Sequence, residues 1–354
     1  PEHNNPQGEL KFSIAKASAV WRQRCNQQDQ AVNTETIECF GINLYRQAQR
    51  EGLAPIAPAQ EATGYESGMD NAARFGFIDD DQLKKYAEQQ YKGDLQKARL
   101  DWQVDFFENR SADGKLLGYS MNQESVDLNA LLYADKLYLA KMAARLGLHN
   151  EVGAWRTSAA QLKSKINRCF FDGKSGYFYD RKIATTQQLD QDGCADGQLL
   201  THRGRGSEAF AVLWANAADA EHAQAVIKHW RDRNEFASYL PFPTAALSNP
   251  AFHPTTYWRG RVWVDQVYFA LKGLQNYGHS KLAQDFAQQF IRRAEGINDA
   301  RPLRENYDPL TGIGQGPGNF SWTAAHLWMI DREVLKGSKK TAREFPSNKR
   351  STPH

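Results

Sequence analysis

A short stretch at residues 64–75 carries residue types that could do hydrolytic chemistry. It sets Glu66 and Asp70 beside Tyr65, together with an amide, a guanidinium and two glycines. This mixture is poor for a helix interior, because glycine and the Ser/Asp/Asn set favour turns and caps. Carboxylates are also rarely buried unless they are paired. The stretch therefore predicts a loop that leads into a helix at Asn71 and presents both carboxylates to a cleft. An ordinary helix cap with solvated charges is the alternative.

A further carboxylate that could take part in hydrolysis, Glu305, lies near the other end of the chain, in residues 304–312. A run of alternating glycines follows it, and then come Phe320 and Trp322. Alternating glycines can cradle a phosphate, but we predict no strand before them, and no Gly-Lys-Ser/Thr follows. A nucleotide site is therefore excluded.

Residues 257–263 combine aromatic rings with guanidinium groups. Arg259 offers a rigid set of donors that suits vicinal sugar hydroxyls or a carboxylate, and Tyr257, Trp258 and Trp263 offer flat apolar faces. The alternative is a structural arginine paired with a carboxylate.

A polar cluster that includes Gln123, Glu124 and Asp127 opens a long helical pattern. These side chains could line a binding site. They could also serve only to begin the helix, with Ser125 as its cap and the acids favoured by the helix dipole.

The elements that must position these residues are mostly helical. Leu128, Leu132 and Met142 belong to an apolar stripe on the long helix that follows Asp127. Residues 51–62 are predicted as a proline-broken loop and residues 171–180 as a hairpin with a glycine-containing turn. Further patterns predict a short strand at 10–14 and about nine or ten helices, among them segments near 36–50, 81–91, 152–169, 207–216, 219–231 and 280–295.

Together the motifs resemble those of glycoside hydrolase family 63, which includes the processing α-glucosidase I enzymes. The matching strings are E-S-G-x-D at 66–70, Q-E-S-V-D at 123–127, Y-W-R-G-x-x-W at 257–263, E-N-Y-x-P-L-T-G at 305–312 and N-F-S-W-x-A-A-H at 319–326. Asp308 replaces the more usual Asn of the fourth string. The likeness spans roughly residues 8–335 and corresponds to the later part of the catalytic domain.

The resemblance implies Asp70 as general acid and Glu305 as general base of an inverting α-glucosidase. Such an enzyme needs its two carboxyl groups roughly 6.5–9.5 Å apart, which leaves room for the attacking water. The acid must hold its proton until the leaving group takes it, and burial among aromatic residues would favour this. The residues expected to contact the sugar are Tyr65, Glu66, Gln123, Glu124, Asp127, Tyr257, Trp258, Arg259, Trp263, Phe320 and Trp322.

The family also implies an all-α fold, an (α/α)6 barrel that is incomplete in this chain, with short hairpins in its loops. Residues 1–335 would form the later part of the barrel, and residues 336–354 a basic, poorly ordered tail. An N-terminal companion segment would complete the barrel. No cofactor is expected, and structural calcium only if an upstream loop outside this chain supplies ligands. The expected ligand is an α-linked oligosaccharide or glucoside.

Two other functions remain open on the same motifs. A trehalase or a mannosylglycerate hydrolase would share the acid and the base and differ in the substrate pocket. A non-catalytic sugar-binding protein would need neither carboxylate, so the presence of both argues against it.

Charge and cysteine usage indicate the class of partner and the cellular compartment. The net charge is +3, but residues 336–354 hold six Lys/Arg and one Glu. The rest of the chain is therefore slightly acidic, which argues against nucleic-acid binding. No apolar run is long enough for a membrane span. The cysteines fall into two local pairs, which predicts Cys25–Cys39 and Cys169–Cys194 disulfides and a periplasmic or secreted protein. Four free thiols in a cytosolic protein are the alternative.

Overall fold

The computed structural model describes residues 56–185 and 188–336. Ten α-helices occur among these residues. They are α1 (Ile56–Ser67), α2 (Asp80–Tyr91), α3 (Leu95–Trp102), α4 (Val126–Leu146), α5 (His149–Cys169), α6 (Glu208–Trp214), α7 (Ala220–Trp230), α8 (Val264–Asn276), α9 (Ser280–Arg293) and α10 (Ser321–Ile330).

Short strands occupy the connections and form four small antiparallel sheets in the described residues. The strands are β1 (Phe106–Arg110), β2 (Leu116–Met121), β3 (Gln123–Glu124), β4 (Phe171–Asp172), β5 (Tyr177–Phe178), β6 (Arg181–Ile183), β7 (Gly197–Leu199), β8 (Val262–Trp263), β9 (Arg304–Tyr307) and β10 (Gly314–Gly318). The sheets pair β1 with β2, β4 with β5, β3 with β6 and β7, and β8 with β9 and β10.

The helices pack both on their neighbours along the chain and on helices two positions away. α4 lies along α5, α6 packs on both α4 and α8, and α8 contacts α9 and α10. A large core fills the space between them, with Phe210, Trp230 and Phe242 in edge-to-face contact at its centre. The chain is therefore helix-rich, as predicted, and its strands are confined to the connections.

Several local predictions are confirmed. The helices expected near 81–91, 152–169, 207–216, 219–231 and 280–295 are present with small shifts of their ends. The hairpin at 171–180 is formed by β4 and β5. The Cys169–Cys194 disulfide is present, with 5.4 Å between its Cα atoms. The strand at 10–14, the helix at 36–50, the Cys25–Cys39 pair and the tail beyond Lys336 lie outside the described residues.

The two predictions around the first motif are wrong in their boundaries. The region expected to be a proline-broken loop starts α1 at Ile56, because a proline such as Pro58 is tolerated in the first turn of a helix. Residues 64–67 are the last turn of that helix, which Gly68 ends with a φ of 74°. No α-helix begins at Asn71; a single 3-10 turn, Ala73–Phe75, follows instead.

The apolar stripe of α4 does not face the core. Leu128, Leu132, Leu139, Met142 and Leu146 are exposed. The buried face is built from smaller or polar-tipped residues, namely Val126, Asp127, Ala130, Tyr133, Ala134, Ala140 and Ala143. This face packs against α5 and α6.

The glycine run after Glu305 also differs from expectation. Gly314–Gly318 form strand β10, which pairs with β9, so a strand does precede the glycines. One of the two grounds for rejecting a phosphate site is therefore wrong, and the rejection stays a prediction that depends on the lack of a Gly-Lys-Ser/Thr string. No helix in the described parts of the chain has the length and apolar character of a membrane span.

Candidate active site

The turn that bears Asp70 is packed directly against the end of α1. A Cβ at Gly64 would collide with the carbonyl oxygen of Asp70, so only glycine allows this approach. The Ser67 hydroxyl donates to the Gly64 carbonyl at 2.6 Å and accepts from the Met69 N–H at 3.1 Å. The two glycines of the motif therefore have structural roles. Gly68 ends the helix, and Gly64 leaves room for the backbone of Asp70.

Asp70 lines an open cavity of about 240 Å³. Tyr65, Phe77, Asp79 and Arg259 also line it. The cavity thus offers aromatic surface, carboxylates and a guanidinium, and it contains three of the residues that the sequence assigns to the site.

Arg259 is buried, and its guanidinium is held by the start of α2. Nη2 donates to Asp79 Oδ1 at 2.8 Å and Nη1 to Gln82 Oε1 at 3.2 Å. The pairing of this arginine with a carboxylate, left open by the sequence, is therefore observed. Arg259 fastens the 257–263 loop to α2 at the wall of the cavity.

Trp258 and Trp263 stack on each other, with ring centroids 4.1 Å apart, and both are buried. The edge of Tyr257 meets Trp263 at 5.0 Å. The backbone N–H of Trp258 donates to Asn71 Oδ1 at 2.9 Å, next to Asp70 in the chain. We call these three rings the aromatic floor; they are joined to the turn that bears Asp70, but they are not among the residues that line its cavity.

Glu305 lies on β9, the middle strand of the sheet that also contains β8. Its Oε1 accepts from the Tyr257 hydroxyl at 3.3 Å and its Oε2 from Asn306 Nδ2 at 3.1 Å. A Cβ at Gly316, on the neighbouring strand, would crowd the Glu305 carboxylate. The glycine run therefore gives room to this side chain.

Phe320 and Trp322 flank the start of α10. Trp322 is 41% exposed, and its ring lies 5.9 Å from Trp263 and 6.1 Å from Phe320. Both side chains thus extend the aromatic floor towards solvent. Glu66 is exposed at the end of α1.

Gln123 and Asp127 are hydrogen-bonded to two buried arginines, Arg203 and Arg74 respectively. Both Asp127 oxygens accept from the Arg74 guanidinium, at 2.8 and 2.7 Å, and Gln123 bonds Asp180 and Arg203. Glu124 lies 3.8 Å from Lys165. These observed contacts are all within the protein, and sugar contact by the three residues stays a prediction.

The sequence assigned no site role to Arg74, Asp180, Arg203 or Glu208, all of which are buried beneath the acid-bearing turn. Burial raises the pKa of Glu208 to about 8, with Asp180 adding to the effect and Arg74 opposing it. Burial likewise raises the pKa of Asp180, against the pull of Arg74. Arg74 lies within the first motif, so the sequence could have indicated it as a site residue. Asp180, Arg203 and Glu208 lie outside the motifs, and no local sequence pattern indicates them.

No group of three or more His, Cys, Asp or Glu side chains in the described part of the chain could hold a metal ion. Glycosidases of family 63 act without a cofactor.

Known proteins resemble this chain over most of its length. The family model of the mannosylglycerate hydrolase MGH1-like glycoside hydrolase domain matches residues 10–323. Mannosylglycerate hydrolase MGH1 of Selaginella moellendorffii is 27% identical over 302 residues, which cover 80% of this chain and 56% of that protein. A periplasmic trehalase of Salmonella newport is 27% identical over 237 residues, covering 63% of this chain and 37% of the trehalase.

Among solved structures, a GH63 mannosylglycerate hydrolase from Thermus thermophilus in complex with glucose is 20% identical, with a TM-score of 0.48. It matches 90% of this chain and 73% of its own. The chain spans about half the length of the curated relatives it matches. The match of the family model shows that this chain belongs to the MGH1-like glycoside hydrolases of family 63.

Proposed function

We propose that the protein is an inverting glycoside hydrolase that acts on α-glucosides, with Asp70 as general acid and Glu305 as general base. One observation carries the proposal. The 257–263 loop contacts both carboxylate-bearing segments, since Trp258 bonds Asn71 and Tyr257 bonds Glu305. Hydrolysis with inversion requires two carboxyl groups that face the sugar from opposite sides, and the contacts of one loop with both segments support this arrangement.

The two roles are taken from the family motifs, and the neighbours of each group are compatible with them. Asp70 lies beside Tyr65 and Phe77 at the cavity wall. The Glu305 carboxylate accepts hydrogen bonds from the Tyr257 hydroxyl and the Asn306 amide. Asp70 then protonates the departing oxygen, while Glu305 deprotonates the water that attacks from the opposite face.

The leaving group is proposed to be neutral. Both arginines of the loop already donate to protein groups: Arg259 to Asp79 and Gln82, and Arg261 to the Thr255 carbonyl and Asn306. A glycerate carboxylate would have only the N–H groups that these bonds leave over, among them the buried Arg259 Nε–H. The relatives nevertheless make mannosylglycerate the second candidate substrate and trehalose the third.

Further parts of the proposal concern the setting. The Cys169–Cys194 disulfide supports a periplasmic or secreted location. The barrel architecture, the later position of residues 1–335 in the catalytic domain and the companion segment remain proposals of the family resemblance.

The test is a panel of α-linked glucose disaccharides, trehalose and mannosylglycerate, with the first product anomer followed by NMR. We expect β-glucose from an α-glucoside, and a nearly complete loss of turnover in Asp70→Asn and Glu305→Gln with folding unchanged. Product of retained configuration, or full activity in either variant, would refute the assignment. Sugar binding without any turnover would instead favour the non-catalytic alternative.

A further inference from the structure

We propose that a buried ion cluster beneath the acid-bearing turn, made of Arg74, Asp127, Asp180 and Arg203, positions Asp70 for proton donation. The inference rests on the proposed function, because it assumes that Asp70 is the acid. It assigns to the four residues a positioning role that nothing in the sequence motifs gives them.

The connection from Asp70 to the cluster is short and rigid. The Ala72 N–H donates to the Met69 carbonyl at 2.8 Å, and the Phe75 N–H donates to the Ala72 carbonyl at 3.0 Å. Two successive turns thus join Asp70 to Arg74, four residues later. We therefore expect the placement of Arg74 to influence the placement of Asp70.

The Arg74 side chain is fixed by carboxylates from two different elements. It is 7% exposed, and its two terminal nitrogens bond both oxygens of Asp127, in the first turn of α4. Asp180, just before β6, approaches the same guanidinium at 3.3 Å and also accepts from the Val126 N–H at 2.8 Å. A bidentate pair of this kind fixes the orientation of the group as well as its position.

Arg203 closes the cluster into a ring. Its Nη1 donates to the Arg74 carbonyl at 2.7 Å and to Gln123 Oε1 at 3.0 Å. Gln123 Nε2 in turn donates to Asp180 Oδ2 at 2.6 Å. Both the backbone and the side chain of Arg74 are thereby held within one closed set of hydrogen bonds.

Stability alone is a weak reason for such a cluster. Desolvation of buried ions commonly offsets their attraction, so apolar residues of similar volume often stabilise a fold equally well. A ring of charges does, however, define one geometry, because each partner accepts only a narrow range of positions. The backbone of Asp70 also lies directly against Gly64 of α1. Contacts with α1 and with the cluster together define the position of the turn that bears Asp70.

The test measures how strongly each variant depends on the leaving group. An alkyl glycoside needs a proton at its departing oxygen, whereas a glycosyl fluoride of the same sugar needs far less help. Asp127→Asn and the milder Arg203→Lys should lower kcat on the alkyl glycoside by roughly 10-fold or more and on the fluoride by less than about 3-fold, with KM little changed.

The matched control is Glu235→Gln. In the described part of the chain, Glu235 forms a partly buried pair with Arg205 and also lies 3.9 Å from His229. The variant removes the same charge from the same kind of pair. We expect it to lower the melting temperature without any dependence of kcat on the leaving group.

Two further variants separate the failure of this inference from the failure of the proposed function. Asp70→Asn should show the strongest dependence on the leaving group, and Glu305→Gln should lower kcat on both substrates. If Asp70→Asn shows no such dependence, Asp70 is not the acid and the proposed function fails. If it does, but the folded Asp127→Asn and Arg203→Lys proteins behave like Glu235→Gln, the positioning role is refuted.

Discussion

Tyr257 joins the aromatic floor to the proposed base, and its backbone has an unusual conformation. Its φ is 33°, in the left-handed region that non-glycine residues seldom adopt. Strain of this kind persists only where surrounding contacts enforce it, and it is common at functional sites. Here it accompanies the hydrogen bond from the Tyr257 hydroxyl to Glu305.

Tyr257→Phe should lower kcat by about 10- to 100-fold, because a hydrogen bond to a charged group contributes about 1.5–3 kcal/mol. KM should change little if the bond orients the base rather than the sugar. Steady-state kinetics of the purified variant measure both values. If the affinity of Tyr257→Phe for sugar falls by the same factor as its kcat, the hydroxyl contacts the substrate instead.

Glu208 makes the stability of the protein depend on pH. Its pKa in the folded state, about 8, lies above the ordinary 4.5, so the folded protein keeps a proton that the unfolded chain has lost. Stability should therefore fall as pH rises through that interval, by a few kcal/mol at most.

Glu208→Gln keeps the shape of the protonated acid and its acceptor for the Gly206 N–H. The melting temperature of the variant, relative to wild type, should rise between about pH 5 and 8 and then level off. Parallel curves over that range would show that Glu208 titrates normally.

At the scale of elements, the polar motifs lie at connections and the helices hold these connections in place. β8 pairs with β9, so the strand that follows the 257–263 loop lies beside the strand that bears Glu305. The start of α2 holds Arg259, and the first turn of α4 holds Arg74. Each connection is thus anchored by an element far away in the sequence.

The disulfide anchors another connection, because it ties the end of α5 to the loop before β7. Cys169→Ser should lower the free energy of unfolding by about 2–4 kcal/mol, since the bridge restricts the unfolded chain. Denaturation by urea measures the change. Reduction of the wild type should produce at least this loss, because it would also break the predicted Cys25–Cys39 bridge. A variant as stable as the oxidised wild type would contradict the prediction.

At the scale of the whole molecule, the exposed face of α4 is the least expected feature. Leu128, Met142 and Leu146 are 66%, 57% and 74% exposed, and they share one side of the helix. Apolar surface of this extent is uncommon on a soluble monomer and often marks a contact with another segment or protein.

A triple variant with glutamine at Leu128, Met142 and Leu146 should bind an apolar fluorescent dye much less than wild type, by roughly half or more, with its melting temperature nearly unchanged. Leu100→Gln is the matched control, because Leu100 lies on α3, outside the stripe, and is 63% exposed, as the stripe residues are. Equal dye binding by wild type and triple variant would show that the stripe is not an accessible apolar surface.

The sequence by itself determined the features that depend on neighbouring residues. Hydrophobic periodicity is local, so α2, α5, α7 and α9 could be predicted to within a few residues. The hairpin between β4 and β5 and the local cysteine pair were predictable for the same reason. The motifs were also sufficient to indicate the family, because their residue types and order are read directly from the chain.

Only the tertiary structure decided which partners those residues have. Asp127 meets Arg74 and Glu305 meets Tyr257, although no local pattern links either pair. The orientation of α4 was likewise decided by the tertiary structure. Its buried face packs against α5 and α6, and its apolar stripe points outward. Burial and ion pairing depend on contacts between distant segments, and such contacts are not encoded in any one stretch.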